Sequence, residues 1–317
     1  MPPPAAKKRA ASLSPFLQVL STRYHHPDYL GSDPLVEVRR FKSPVDREIA
    51  ALFAALLAYG NVKQINASLR KLYDAMRGHP APFVAGFDPA RDPAALKGFK
   101  HRFTDSEDIA CLCHLLAQAL AKCATLENFF LQGYDPAEPD LVGAATRFME
   151  NLCSLEFAPR FSRDRMLRKT SFKHLMPRAD KGSACKRVHL FLRWMIRPDD
   201  GIDLGLWHAI PASKLIMPVD THILRIGRNL GILRRKTGSL AAAREITAML
   251  ALCDSADPVR FDFPLCRLGI LQKCPTTSNL AACDVCELNS VCEKRRKLAT
   301  TRNRLDAKSL MRRKSAK

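Results

Sequence analysis

Apolar residues recur at three- and four-residue spacing along most of this chain, and few stretches alternate with a period of two. In "SEDIACLCHLLAQALAKC", Ile109, Leu112, Leu116 and Leu120 share one stripe. That spacing places them on one face of a helix. "SPVDREIAALFAALLAYG" adds end signals: Ser43 as N-cap, Pro44 at the first helical position, Asp46 and Glu48 in the first turn, and Gly60 as a stop. "DLVGAATRFMENL", "CKRVHLFLRWM" and "SLAAAREITAMLALC" have the same spacing. "KLIMPV" has strand-like content, but Pro218 makes it a loop entering a helix. The expectation is an all-α protein with helices of about 10 to 18 residues.

The chain is 317 residues long, 47% hydrophobic and 26% charged. It has enough apolar content for a large core, which excludes a disordered chain, and enough length for two lobes. Its formal charge is +20. The segment Glu293–Lys317 holds 11 Lys or Arg against two acids, so the surplus is not confined to the end. A broad basic field suits a polyanion. "MPPPAAKKRAASLSPFL" has charge but no apolar stretch of signal-peptide length. "IAALFAALLAYG" is too short to span a bilayer. The expectation is a cytoplasmic protein with no membrane partner, in which thiols stay reduced.

Eleven cysteines then read as metal ligands or core residues rather than disulfides. Cys111, Cys113, Cys123, Cys153, Cys253 and Cys266 lie in or beside apolar runs and are expected as buried small hydrophobes. Cys185 stands apart from such runs. Cys274, Cys283, Cys286 and Cys292 sit together with spacing C-x8-C-x2-C-x5-C. Four thiolates on so short a segment can close around one metal centre. Structural zinc usually uses two close cysteine pairs, whereas this run has one. The asymmetry favours a [4Fe–4S] cluster, with zinc as the alternative.

"PVDTHILRIGRNLG" begins a helix at Asp220 and stops it at Gly231. Asp220 serves as a cap on one reading. On the other it is an ionised carboxylate, held rigidly, that stabilises positive charge developing nearby. His222 faces polar neighbours; Arg225 and Arg228, three apart, either contact phosphate or are simply solvated. Upstream, "MPRADKGSACKRVHL" turns at Gly182 and starts a helix near Ser183. Backbone N–H groups around Gly182 and Ser183 are a candidate phosphate site, surrounded by Lys181, Lys186 and Arg187. Lys186, in the first turn of an apolar helix and near other cations, is either an activated amine or a phosphate contact.

Three segments carry a resemblance: "PVDTHILRIGRNLG", the cysteine run, and "ALFAALLAYGNVKQINASLRKL". Together, over about residues 45 to 295, they resemble the helix-hairpin-helix (HhH-GPD) DNA glycosylases of the endonuclease III type. "GSACKR", "FLRWM" and "PVDTH" resemble an uncharacterised bacterial branch of that superfamily. The resemblance implies two helical lobes with a cleft, lobe A about 45–185 and lobe B about 15–44 and 186–296. A flexible leader 1–14 precedes them, the iron–sulfur loop 274–292 lies in lobe B, and a basic tail 297–317 follows. It implies a monomer in the bacterial cytosol, associated with the nucleoid, acting on damaged double-stranded DNA. Asp220 would be catalytic, and Lys186 the nucleophile of a glycosylase with AP-lyase activity. Lys181 is the rival nucleophile; a monofunctional enzyme would use Asp220 and water. Tyr59, Gly60 and Asn61 would lie near the lesion, and Lys181, Gly182, Ser183, Arg187, His222 and Arg225 against DNA. Two features depart from the family. Its hairpin L-P-G-V-G-x-K is here "MPRADKGSACK", and its first cysteine spacer is x6 rather than x8. The altered hairpin keeps open a non-catalytic iron–sulfur protein that binds nucleic acid with the same fold.

Overall fold

The computed structural model describes residues 3–178, 182–271, 274, 280–297 and 300. The protein is mostly α-helical, as the spacing predicts. Its helices are α1 (Pro4–Tyr24), α2 (Leu35–Val38), α3 (Pro44–Leu56), α4 (Val62–Ala75), α5 (Pro80–Ala85), α6 (Ser106–Cys123), α7 (Leu126–Leu131) and α8 (Val142–Ser154). There follow α9 (Arg163–Arg168), α10 (Thr170–Leu175), α11 (Lys186–Ile196), α12 (Thr221–Asn229), α13 (Leu240–Ala251), α14 (Asp262–Leu271) and α15 (Leu280–Asp284). A short hairpin, β1 (Lys100–His101) and β2 (Thr104–Asp105), pairs Lys100 with Asp105 and His101 with Thr104. Residues 215–220 form a loop, as Pro218 requires.

The chain divides into two compact units, Met1–His25 with Val219–Lys317, and His26–Pro218. In the 26–218 unit α11 packs on α3. Arg39 ties the stretch after α2 to 199–203 through the Ile202 carbonyl at 2.9 Å and Asp199 at 2.7 Å. Both contacts keep 26–44 and 186–218 with the intervening helices.

α3 is almost wholly buried, which is why its sequence reads apolar nearly all round. Its two early acids do more than complement its own dipole. Asp46 accepts the Ala81 N–H of α5 at 2.8 Å. Glu48 accepts the Leu126 and Glu127 N–H groups that open α7 at 3.1 and 3.2 Å, and Trp207 Nε1 at 2.7 Å. Burial pushes the Glu48 carboxyl up, and these donors oppose it. α6 begins at Ser106, three residues before the first apolar residue Ile109, with Asp105 and Asp108 forming a reciprocal capping box. Ile109, Leu112 and Leu116 are fully buried, while Leu120 is only half-buried near the helix end.

In the other unit α1 replaces the expected leader. Ala10, Leu13, Leu17 and Leu20 are buried at helical spacing, and α1 packs on α14. That stripe orders residues 4–14, whose prolines and charges give the segment a flexible look. Most of the expected tail lies outside the described residues. Cys111, Cys113 and Cys153 are buried as expected, and so is Cys185. Cys123, Cys253 and Cys266 are only half-buried, and their sulfurs meet Gln132 Nε2, the Ala10 carbonyl and Asp220 Oδ2 respectively. No described helix is long and apolar enough to cross a membrane.

Candidate functional site

In the 26–218 unit, Tyr59 follows α3 in a turn closed by Gly60, whose φ is +100°. Only glycine takes that conformation without strain. The Tyr59 hydroxyl donates to the His101 carbonyl at 2.9 Å and lies 2.7 Å from Thr104 Oγ1, locking the ring to the hairpin. Four rings gather there, with His101 meeting Tyr59 edge-on at 4.7 Å. Tyr59 stacks parallel to Phe103 at 6.2 Å and meets His174 edge-on at 4.4 Å, and Phe103 meets His174 edge-on at 5.5 Å. Arg102 and Phe103 form the two-residue tip of the hairpin. Arg102 has a φ of +51°, as tight hairpin turns require. Phe103 remains 55% exposed, with the Arg102 guanidinium over its ring at 5.4 Å. An exposed aromatic with a cation beside it, on a hairpin anchored from behind, is the main feature that spacing does not reveal. Phe103 standing alone among the charges of "KHRFTD" is its only trace in the sequence.

Arg187 joins this cluster from α11, its guanidinium over the Tyr59 ring at 5.2 Å. It turns inward. Its Nη atoms donate to the Leu56 and His174 carbonyls, which engages the fork that a phosphate contact needs. Burial lowers it to about 10. Burial together with Arg187 and Arg102 lowers His174 to about 4, so the imidazole is neutral at pH 7. Asn61 is exposed and caps α4, accepting the Lys63 N–H at 2.9 Å. Gly182 and Ser183 are exposed but precede α11, which starts three residues later than expected, after a left-handed Cys185. They are therefore not in its first turn; Ser183 Oγ instead accepts the Cys185 N–H at 3.2 Å. Lys181 lies outside the described residues. Lys186 opens α11 half-buried, and its amine has no ion pair or hydrogen bond among the described residues.

In the other unit Asp220 is the N-cap of α12, its Oδ1 accepting the Ile223 N–H at 2.7 Å. His222 is half-buried and pulled down by burial, against the opposing charge of Asp220. Its Nδ1 lies 3.0 Å from Arg225 Nη2, which also reaches the Gly269 carbonyl at 3.3 Å. Arg225 thus lies against α14, while Arg228 is exposed. The helix ends at Gly231 with φ +74°, beside the Glu293 carboxylate.

The cysteine run begins past α14. Asn229, at the end of α12, stands between two of its members: Nδ2 to Cys274 Sγ is 3.3 Å, and Cys292 Sγ to the Asn229 carbonyl is 3.4 Å. Burial raises Cys283 and Cys286, the latter to about 11, and each also feels the charge of Cys274 and Cys292. The described residues hold no group of three or more His, Cys, Asp or Glu side chains placed to grip a metal ion. The donors fit a thiophilic metal in kind, since a multivalent cation offsets both burial and mutual repulsion of thiolates.

These elements define a mostly helical protein with an aromatic, cation-flanked hairpin in one unit and a helix-capping aspartate beside a four-cysteine run in the other. A family model described as "Protein of unknown function (DUF2400)" matches residues 33–271, and the chain belongs to that family. No curated protein and no solved structure matches it.

Proposed function

We propose that the chain is a two-lobed DNA glycosylase with AP-lyase activity, releasing a damaged base from duplex DNA. The observation that carries the reading is the seat of Asp220. One carboxylate oxygen caps α12, which fixes the side chain, while the other takes no part in capping. A fixed carboxylate with one oxygen outside the cap suits stabilisation of an oxocarbenium-like sugar. In this reading the Lys186 amine attacks C1′, the base leaves, and the resulting Schiff base permits β-elimination of the strand. The base must leave the stack first. Phe103 supports this step, because an exposed apolar side chain on a braced turn can take the space a base vacates. Arg102 and Lys100 beside it, and Lys173 next to His174, supply positive charge for phosphate.

Cys274, Cys283, Cys286 and Cys292 would hold a [4Fe–4S] cluster in this reading, or zinc in its place. The group would brace the loop and keep Lys294, Arg295 and Arg296 near the backbone of the nucleic acid. A non-catalytic nucleic-acid-binding protein is the second reading. It is favoured by the departure of α11 from a glycine-paired hairpin, with Gly182 and Ser183 outside its first turn.

Asp220→Asn separates the two readings, because asparagine caps as well as aspartate but carries no charge. Duplex oligonucleotides carrying uracil, thymine glycol, 8-oxoguanine or an alkylated purine serve as substrates. We expect the wild type to release one of these bases, and Asp220→Asn to bind that duplex normally while releasing the base at least about a hundredfold more slowly. Equal rates in both proteins would leave Asp220 a cap and favour the binding protein.

A further inference from the structure

The two oxygens of Asp220 are held by different chemistry. Oδ1 takes the Ile223 N–H in the cap. Oδ2 faces the thiol of Cys266 on α14, with Sγ to Oδ2 at 3.8 Å. Among the described residues these are the two hydrogen-bond donors to that carboxylate.

The thiol is not placed there by chance packing of an apolar side chain. α12 and α14 pack together, and their approach is close because Gly269 has no side chain. A Cβ at 269 would come within 3.0 Å of His222 Cβ and Nδ1. The sulfur also accepts from Arg267 Nη2 at 3.9 Å. Arg267 is itself fixed: it is 3% exposed, and its guanidinium lies over the Phe263 ring at 4.7 Å, one turn back on α14. Phe263 in turn meets the His25 ring edge-on at 5.8 Å. A cation donating to the sulfur draws electron density from the S–H bond, and a carboxylate is a better acceptor than a neutral oxygen. Both effects strengthen a donor that is weak by nature.

We propose that Cys266 is a positioning residue for Asp220, its S–H directed at Oδ2 so that the carboxylate keeps one orientation. A thiol suits this task. It orients Oδ2 while neutralising little of the charge. The consequence for rate rests on the glycosylase reading; the contact itself does not.

The experiment has two arms on the full-length protein. The first is infrared spectroscopy of the S–H stretch. The band of Cys266 is isolated as the difference between wild type and Cys266→Ala. In an Asp220→Asn background it should move to higher wavenumber, because an amide is a weaker acceptor than a carboxylate. An unmoved band overturns the proposal whatever the protein does to DNA. The second arm measures base release from the duplexes described above. Cys266→Ala should lower kcat about tenfold, roughly the rate equivalent of one hydrogen bond, with KM unchanged. Cys266→Ser, which keeps a donor, should restore most of the loss. A loss that serine fails to restore shows that the side chain only fills space, and overturns the proposal. If the wild type releases no base, the glycosylase reading falls, and the infrared band alone decides whether Cys266 holds Asp220.

Discussion

Two lysines of the 26–218 unit show how much the surroundings decide what an amine can do. Lys169 lies within 3.1 Å of Asp105, Glu107 and Asp108. Burial lowers its affinity for the proton, but those three carboxylates outweigh it and push the amine far above its ordinary value. It is a structural cation and cannot serve as a nucleophile. Lys186 has no such partners among the described residues, and it sits half-buried at a helix start. It is the amine better placed for attack. We predict that Lys186→Gln abolishes the adduct trapped by borohydride on a duplex carrying an abasic site, while Lys169→Gln retains it in whatever fraction folds. Persistence of the adduct in Lys186→Gln would move the nucleophile elsewhere, with Lys181 the first to test. Arg187, one residue on, shows the limit of sequence reading at this scale. Spacing places it beside Lys186 in a basic turn, but only the fold shows its guanidinium pointing back under Tyr59.

The hairpin and the turn before α4 behave as one element, held together by His101 and His174. His101 bridges Ser68 Oγ at 3.0 Å and the Tyr59 carbonyl at 3.1 Å, and His174 packs against both Tyr59 and Phe103. Both imidazoles are held neutral, mainly by burial. His174 falls to about 4 from an ordinary value of 6.5. Between those pH values the unfolded chain binds a proton that the folded one refuses, so stability declines as pH falls through this window. Thermal unfolding followed from pH 7 to pH 4 should therefore give a falling Tm. His174→Gln should flatten the fall, whatever it does to Tm at pH 7 through lost ring contacts. An unchanged slope would mean that His174 is protonated in the folded protein without penalty. Little of this element is legible beforehand. Two-residue strands are too short for alternation to register, and the partners of Tyr59 lie more than 40 residues away. The long helices are legible because their apolar stripes repeat over several turns. α1 is the exception: "PPAAKKRAASLSP", residues 3–15, buries only Ala10 and Leu13 from a stretch of prolines and charges.

At the scale of the whole molecule the metal question turns on what holds the cysteine loop. Two sets of contacts already do so without one. Arg9 of α1 donates to the Val291 carbonyl at 2.6 Å and to the Leu230 carbonyl, and Glu287 is met by Arg23 and by the Tyr24 hydroxyl at 3.1 Å. Asn229 contacts Cys274 and Cys292 from the end of α12. Among the described residues, α1 therefore braces the loop at Glu287 and Val291, and α12 meets it at Cys274 and Cys292. The spacing of the cysteines was legible in the sequence; this bracing was not, because α1 is some 270 residues away along the chain. We predict that anaerobically purified protein is brown and carries iron and sulfide, about four of each per chain. Cys286→Ser should lose them. Cys266→Ser should keep them, because Cys266 faces Asp220 and lies outside the run. Stoichiometric zinc without iron would exclude the cluster. Because the protein contacts persist, stripping the metal with a chelator should lower Tm and leave most of the helical circular dichroism intact, unlike a zinc finger, which unfolds outright. Collapse of the helical signal on chelation would show instead that the 1–25 and 219–317 unit depends on the metal for its fold, and that Arg9, Arg23 and Asn229 only follow where it leads.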